Sequence, residues 1–307
     1  MPRARLSTIV AATVAAVLSI LGLIAWRVVR HAPRWLGGET IVVEIDADHP
    51  YDEGVTPAQA VERTVATLRR RAKSLSALTA VDVDGKRVRI TLPRFGTRIA
   101  RDSATRILTS GGRLSLHLVD ENSPYMRGVA DSMQATPIGG VVIGKETWSD
   151  PAAGAAHKDV FVRAGTAESL RLAWGELVQR RGLPADHAIL PERRARDWRS
   201  YYVFRKNELS GGAVREARAT ANAQLGRPEI DVRLDDEGAQ KLESVTGGAI
   251  GRKLAFAVDN VVLSAPVIAD KISGGHARIT LGGELENVPL AQQATELATT
   301  LRSGPLP

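Results

Sequence analysis

The 307-residue chain has no cysteine, only three methionines, and aromatic residues at 4%. The missing cysteine excludes a disulfide-stapled scaffold, a thiolate zinc site, an iron–sulfur cluster and a thiol nucleophile. No G-x-x-x-x-G-K-[ST] phosphate loop occurs. The nearest approach, GGAIGRK at 247–253, lacks the spacing and the Ser/Thr, and its glycines suit a helix end. The six histidines, at 31, 49, 117, 157, 187 and 276, are scattered, with none of the i, i+4 pairing of a metalloprotease helix. His117, between Leu116 and Leu118 on a strand, is expected on the solvent face. The acidic run DADHPYDE (46–53) is no EF-hand, because counting from Asp46 places Tyr51 and Pro57 where Gly and Glu are needed. Ser210 lacks the first glycine of G-x-S-x-G and suits a helix N-cap better than a nucleophile. What remains is an ordinary globular composition, 44% hydrophobic and 24% charged, with a net charge of +7 and a length for two domains or one large one.

The most specific local feature is Ser7 to Trp26, an apolar run without a charge. At 1.5 Å per residue a helix of that length spans about 30 Å, the thickness of a bilayer's hydrocarbon core. A cleaved signal peptide would have a shorter apolar core and small residues before the cut, whereas Ile24, Trp26, Arg27 and Arg30 follow here. We expect an uncleaved, single-pass anchor, with residues 1–37 forming anchor and linker. Arg3 and Arg5 on one side, against Arg27, Arg30 and Arg34 on the other, leave orientation open.

From residue 38 to 119 the pattern predicts β-α-β-β-α-β. IVVEI (41–45) is a strand, and Thr56, Pro57 and Gln59 form a capping box before a helix with Val61, Val65, Leu68 and Ala72 on its apolar stripe. Arg69, Arg70, Arg71 and Lys73 crowd its end, where cations suit the helix dipole. A hairpin turns at Asp84-Gly85, a second helix carries Ile99, Ile107 and Leu108, and Leu114, Leu116 and Leu118 share a strand face. That order is the split βαβ or ferredoxin-like arrangement. Residues 207–307 repeat the grammar with an Asp235-capped helix, strands around Leu254–Val258 and Ala277–Leu281, and a final helix capped by Asn287. Between them, residues 120–206 are less regular, with a helix through LRLAWGELVQRR and a strand YYVF, and read as an inserted subdomain.

Several phrases occur in sequence order: LSGGAVREARA (209–219), PEIDVRLDDEGAQKLESVTGGAIGRKLAFAVDN (228–260), VVLSAPVIADKISGGHARITLGG (261–283) and LATTLRSGPLP (297–307). Together they resemble the large periplasmic domain of the SecD family, an accessory subunit of bacterial protein export. Weaker similarity lies in AVERTVATLRRRAKSL and KRVRITLPR. The resemblance implies an α+β fold, with an N-terminal transmembrane helix followed by ferredoxin-like βαββαβ base units (38–119 and 207–307) and an inserted head (120–206). It marks Gly211, Gly212, Asp259, Ser264, Ala265, Pro266, Gly274, Gly275, Arg302, Gly304 and Pro307 as family-motif positions. Physically, Ser264-Ala265-Pro266 interrupts an apolar strand, and Gly274-Gly275 supplies a turn; both serve backbone geometry. A SecD continues into further membrane helices that, with SecF, conduct protons, and the anchor here carries no intramembrane acid.

Residues 157–206 hold eleven Lys/Arg and six Asp/Glu, with Trp198, Tyr201, Tyr202 and Phe204 interleaved. A solvated face over a strand's aromatic core explains them; so does a contact surface for unfolded polypeptide, with Trp174, Trp198, Tyr201 and Tyr202 as apolar anchors. Polypeptide or lipid headgroups suit an exported domain better than nucleic acid does. The resemblance implies a non-catalytic protein of the inner membrane, facing the periplasm, without a metal or other cofactor. Its partners would be the translocating unfolded polypeptide, the Sec channel, SecF or a full-length SecD, and the bilayer through residues 7–26. The alternative is a membrane-anchored envelope scaffold that kept the fold and has no role in translocation.

Overall fold

The computed structural model describes residues 38–46, 55–93, 100–149, 154, 156–206, 209, 212–222, 226–281 and 288–306. The anchor at 7–26, most of the acidic loop, Ser210, Gly211, Asn287 and Pro307 lie outside the described residues. Among the described residues no helix is long and apolar enough to cross a membrane. The chain divides into two compact units, one ending at Thr109 and one spanning Ser110–Leu306.

In the first unit, β1 (Glu39–Glu44), β2 (Ala80–Asp84) and β3 (Arg87–Leu92) form an antiparallel sheet in the order β1-β3-β2. Helix α1 (Pro57–Leu75) starts at the capping box: Gln59 N donates to Thr56 Oγ1 at 3.4 Å, and Thr56 N to Gln59 Oε1 at 3.1 Å. It buries Ala60, Val65, Leu68, Ala72 and Leu75, while Val88, Ile90 and Leu92 are the buried stripe of β3. At roughly 1.5–3 kcal/mol for each fully buried aliphatic side chain, these faces hold helix to sheet. Helix α2 (Arg101–Thr109) carries Ile107 and Leu108 inward. The basic end of α1 was expected to serve its own dipole. Arg71 instead lies fully buried and donates through Nη1 to the carbonyls of Ile107 and Leu108 at 3.0 and 3.3 Å, capping the C-terminus of α2.

The expected sixth element of this unit goes elsewhere, which corrects the ferredoxin-like reading. Strand β4 (Leu114–Leu118) pairs in antiparallel register with β11 (Leu254–Val258) and makes no pair with β1–β3. Apolar residues on alternate positions specify a strand but not its partner. β4 is buried on both faces, so His117 is not on solvent: it is 7% exposed, and its Nδ1 lies 2.9 Å from the Phe204 carbonyl.

The second unit has two sheets. One orders β13 (His276–Thr280), β10 (Pro228–Leu234) and β9 (Val214–Ala221). Helices α5 (Asp236–Gly247) and α6 (Leu290–Ser303) belong to the same core, through Leu242, Ala294, Ala298 and Leu301 with Ile230, Val232 and Ile279. Asp235 caps α5, accepting from Gly238 N at 2.8 Å, and the helix ends at Gly247-Gly248. The other sheet has seven strands in the order β4-β11-β12-β7-β8-β6-β5, with β5 Val141–Ser149, β6 Ala156–Ala164, β7 His187–Arg193, β8 Trp198–Phe204 and β12 Val261–Ser264. The 120–206 segment therefore shares its sheet with strands on either side of it in sequence. Past β4 the chain returns to β8: Val119 bridges Val203, and Asp120 N donates to the Tyr202 carbonyl at 3.0 Å. Five strands thus close into a ring of paired neighbours around Val119, Leu190, Tyr201, Val203, Ala255, Ala257 and Val262. The alanines on β11 keep the middle of that ring narrow enough to fill with side chains. Helices α3 (Pro124–Ala135) and α4 (Ala167–Arg181) cover the opposite face of β5, β6 and β8, with Met126, Val129, Leu170, Trp174 and Leu177 packed on Val160, Val162 and Tyr202.

Candidate functional site

The alternation of β6 and β8 sorts their residues onto two faces. Even positions Val160, Val162, Ala164, Trp198 and Tyr202 meet the helices. Odd positions Asp159, Phe161, Arg199 and Tyr201 meet a buried ionic network. Arg199 is 3% exposed and is its centre. Its Nη2 donates to Asp159 at 2.7 Å and its Nη1 to Glu146 at 3.0 Å, while its guanidinium carbon sits 3.6 Å from the Phe161 ring centroid and 4.2 Å from that of Tyr201. Lys253 Nζ reaches Glu146 at 2.8 Å and Asp159 at 3.6 Å, and lies 4.2 Å from the Trp148 ring centroid. Trp148 in turn donates to the Gly251 carbonyl at 3.0 Å. Glu121 accepts from Lys253 N and from Arg252 Nε, so the chain just past β4 is tied to β11 by side chains as well as by backbone.

The environment decides how these groups titrate. Burial pushes the Asp159 carboxyl up, against the pull of Arg199 and Lys253. Glu146 also feels burial, but Lys253 and Arg199 outweigh it and hold its carboxyl below the usual range. Burial likewise raises Glu192, beside Arg194 and Arg199. It raises the Tyr201 hydroxyl, which donates to Glu192 at 3.3 Å, and pushes Tyr202 up to about 12. The Tyr202 ring stacks between His187, at 4.3 Å, and Tyr125, at 5.0 Å.

Above this network an open cleft is lined by Lys145, Glu146, Phe161, Arg163, Arg194, Asp197 and Arg199. Beside it Gly144 packs directly against the Phe161 ring, where a Cβ would lie 2.3 Å from a ring carbon. Arg163 pairs with Asp197 and Arg194 with Glu192, so most of the rim is ion-paired.

The four aromatic residues singled out from sequence fall differently. Trp174, Tyr201 and Tyr202 are 6%, 3% and 2% exposed and are structural packing, while Trp198 is half-buried with Arg193 5.9 Å over its ring. Interleaved aromatics on a strand with two covered faces are core, and the hydrophobic signal does not separate this from a binding stripe. Sequence reasoning missed Asp159, Glu146 and Lys253; for Asp159 the available signal was a charged residue at an inward-phased strand position.

The motif positions gather at backbone turns. Asp259 and Asn260, with φ of 51° and 63°, turn β11 into β12. The Asp259 carboxylate accepts from Ser110 Oγ at 2.9 Å and from the backbone N of Gly112 and Arg113, both at 3.0 Å. The Leu306 amide donates to the Gly111 carbonyl at 2.7 Å, just after Gly304 ends α6 with φ 88°. Arg302, in the last turn of α6, is exposed. β12 ends at Ser264; past Ala265 the chain folds back, and the Pro266 carbonyl accepts from Leu254 N at 3.0 Å. Gly274 and Gly275 have φ of 77° and 69°, and Gly275 lies against Ala239. Gly212 stands free of neighbours that a Cβ would meet.

Fold and site define a mixed α+β domain, sheet-built, with an ionic interior and motif residues devoted to turns. Residues 187–307 match the family model described as SecDF, P1 head subdomain. This part of the chain is similar to that subdomain of the SecD/SecDF proteins, and the match runs across the boundary expected at 206/207. Among curated relatives, Protein translocase subunit SecD of Magnetococcus marinus is 37% identical over 130 residues, 41% of this chain and 23% of that protein. Protein translocase subunit SecDF of Thermus thermophilus is 41% identical over 99 residues, 32% of this chain and 12% of that protein. The chain thus spans a quarter or less of these relatives' length. A solved structure, titled "Structure and function of a membrane component SecDF that enhances protein export", aligns with 88% of this chain and 95% of its own, at 23% identity and a TM-score of 0.50. The crystal structure of SecDF in its super-membrane-facing form gives 0.52 at 24% identity, over 88% of this chain and 29% of that one. These two likenesses show the shared fold.

Proposed function

We propose that the chain is a non-catalytic accessory protein of Sec-dependent protein export, anchored in the inner membrane through residues 7–26 with its folded part on the periplasmic side. There it holds or guides unfolded polypeptide beside the Sec channel, with SecF or a full-length SecD as partner. The match of residues 187–307 to the SecDF P1 head carries this reading, and the translocase names of the relatives support it. Contact with polypeptide falls to groups that the fold leaves open, since Trp174, Tyr201 and Tyr202 are occupied in the core.

The test is photocrosslinking in intact cells, with probes at Val142, which is 58% exposed, and at Trp198, while a secretory protein is arrested partway through export. A crosslink to the arrested chain is expected. Crosslinks only to other envelope proteins, with the protein verified in the membrane, would overturn the export role in favour of the scaffold reading.

A further inference from the structure

The seven-stranded sheet ends at β5, which pairs through all nine of its residues with β6 and, among the described residues, with no strand on its other side. Its register runs from Val141↔Ala164 to Ser149↔Ala156 without a bulge, and it contains no proline. Edges of this kind are usually blunted by a bulge, a proline, a covering segment or charged side chains, because their unpaired N–H and C=O groups template another strand, and of these β5 carries only the charges of Lys145 and Glu146 among the described residues. Here the far end is tied down through Trp148, whereas Val142 is 58% exposed and Lys145 and Glu146 are open to solvent.

The strand also borders the cleft. Val142 pairs with Arg163 and Gly144 with Phe161, so the face of β5 that looks over the cleft presents an aliphatic side chain, then a gap over an aromatic ring. Four of the seven residues lining the cleft, Lys145, Arg163, Arg194 and Arg199, are cationic and two, Glu146 and Asp197, are anionic, so the lining carries a net positive charge. The backbone edge offers affinity without sequence, and the cationic surround offers a preference in charge.

We propose that the free edge of β5, from Val141 to Lys145, binds an extended polypeptide as an added strand, with acidic side chains on the cleft side favoured over basic ones. This rests on the polypeptide-binding reading above and assigns it a place and a geometry. Main-chain hydrogen bonds carry the affinity, so binding tolerates many sequences. Every second residue of an added strand points its N–H at β5 and the others point away.

The experiment uses the full chain in detergent and fluorescein-labelled nonapeptides in which valine alternates with glutamate or with lysine, read by fluorescence anisotropy. The glutamate peptide should bind at least threefold more tightly, and the difference should shrink with added salt. Side-chain alternation fixes which face meets the cleft, so N-methylation at even positions and at odd positions should differ. One series should lose at least tenfold in affinity and the other stay within threefold. Val142→Glu, with folding checked by circular dichroism, should weaken the glutamate peptide at least fivefold. If both methylated series bind alike and Val142→Glu has no effect, polypeptide binding stands and strand addition at β5 is overturned. If neither peptide binds the unaltered chain, the polypeptide reading itself fails.

Discussion

Replacing Arg199 by methionine tests the ionic interior most directly. The guanidinium is 3% exposed, donates to Asp159 and Glu146, and lies between the Phe161 and Tyr201 rings. Methionine keeps much of the apolar volume but leaves Asp159 facing only Lys253 Nζ at 3.6 Å. Breaking one side of a buried pair costs about 3–5 kcal/mol. The remaining Lys253 contact and the partial exposure of Glu146 place the expected loss near about 3 kcal/mol at neutral pH. The sign of the pH dependence follows from Asp159. Burial already raises its carboxyl, and removing Arg199 removes the stronger of the two cations holding it down. A carboxyl raised in the folded state favours folding below its unfolded value, and that contribution is lost as pH rises through the folded value. Arg199→Met should therefore be closer to the unaltered protein at pH 5 than at pH 7.5, by urea unfolding monitored at both. Asp159→Asn combined with Arg199→Met should recover at least about 1 kcal/mol at pH 7.5, because no buried charge is then left unpaired. A deficit that is the same at both pH values, or a double variant no more stable than Arg199→Met, would refute the reasoning.

Asp259→Ala should destabilise by about 2–3 kcal/mol, since it removes three accepted hydrogen bonds and puts alanine at φ 51°; Asp259→Gly should recover about 1 kcal/mol of that, as measured by thermal or urea unfolding. An equal loss for both variants would remove the backbone part of the argument. Gly275→Ala combines φ 69° with a Cβ 2.6 Å from the Ala239 Cβ, and should cost about 2–3 kcal/mol; Gly274→Ala, with φ 77° but open space, should cost about 1 kcal/mol. The difference in unfolding midpoint between these two isolates the steric contribution.

What was legible in the sequence was whatever depends on near neighbours in the chain. The capping box at Thr56, the Asp235 cap, the Gly247-Gly248 end of α5 and the apolar alternation of β3 follow from periods and turn chemistry, and the structure reproduces them. What was not legible depends on pairing across the chain. Leu114, Leu116 and Leu118 specify a strand with an apolar face, and nothing in them distinguishes β11 from β1–β3 as the neighbour. Arg71 shows the same limit among charges: in sequence it is one of four basics at a helix end, in space it closes α2, thirty-six residues away.

The site shows that limit at its sharpest. A strand such as β8 has two faces, and in ERRARDWRSYYVFRK neither is marked as free. Helices from 124–135 and 167–181 take one face, through Tyr202; Asp159, Glu146 and Lys253 take the other, through Arg199 and Tyr201. With both faces spent, side-chain recognition by the central strands is closed. In the role proposed above, engaging many different unfolded chains, shaped side-chain pockets would gain little, because each would select one sequence. The backbone edge is the recognition element common to every polypeptide, and in this unit β5 holds it open beside a cationic cleft. The ion pairs fit that arrangement physically: they hold β5 and β6 to β8 and to the start of β11 through charge rather than bulk, so the hairpin is fixed in position while its outer edge pairs with no strand among the described residues.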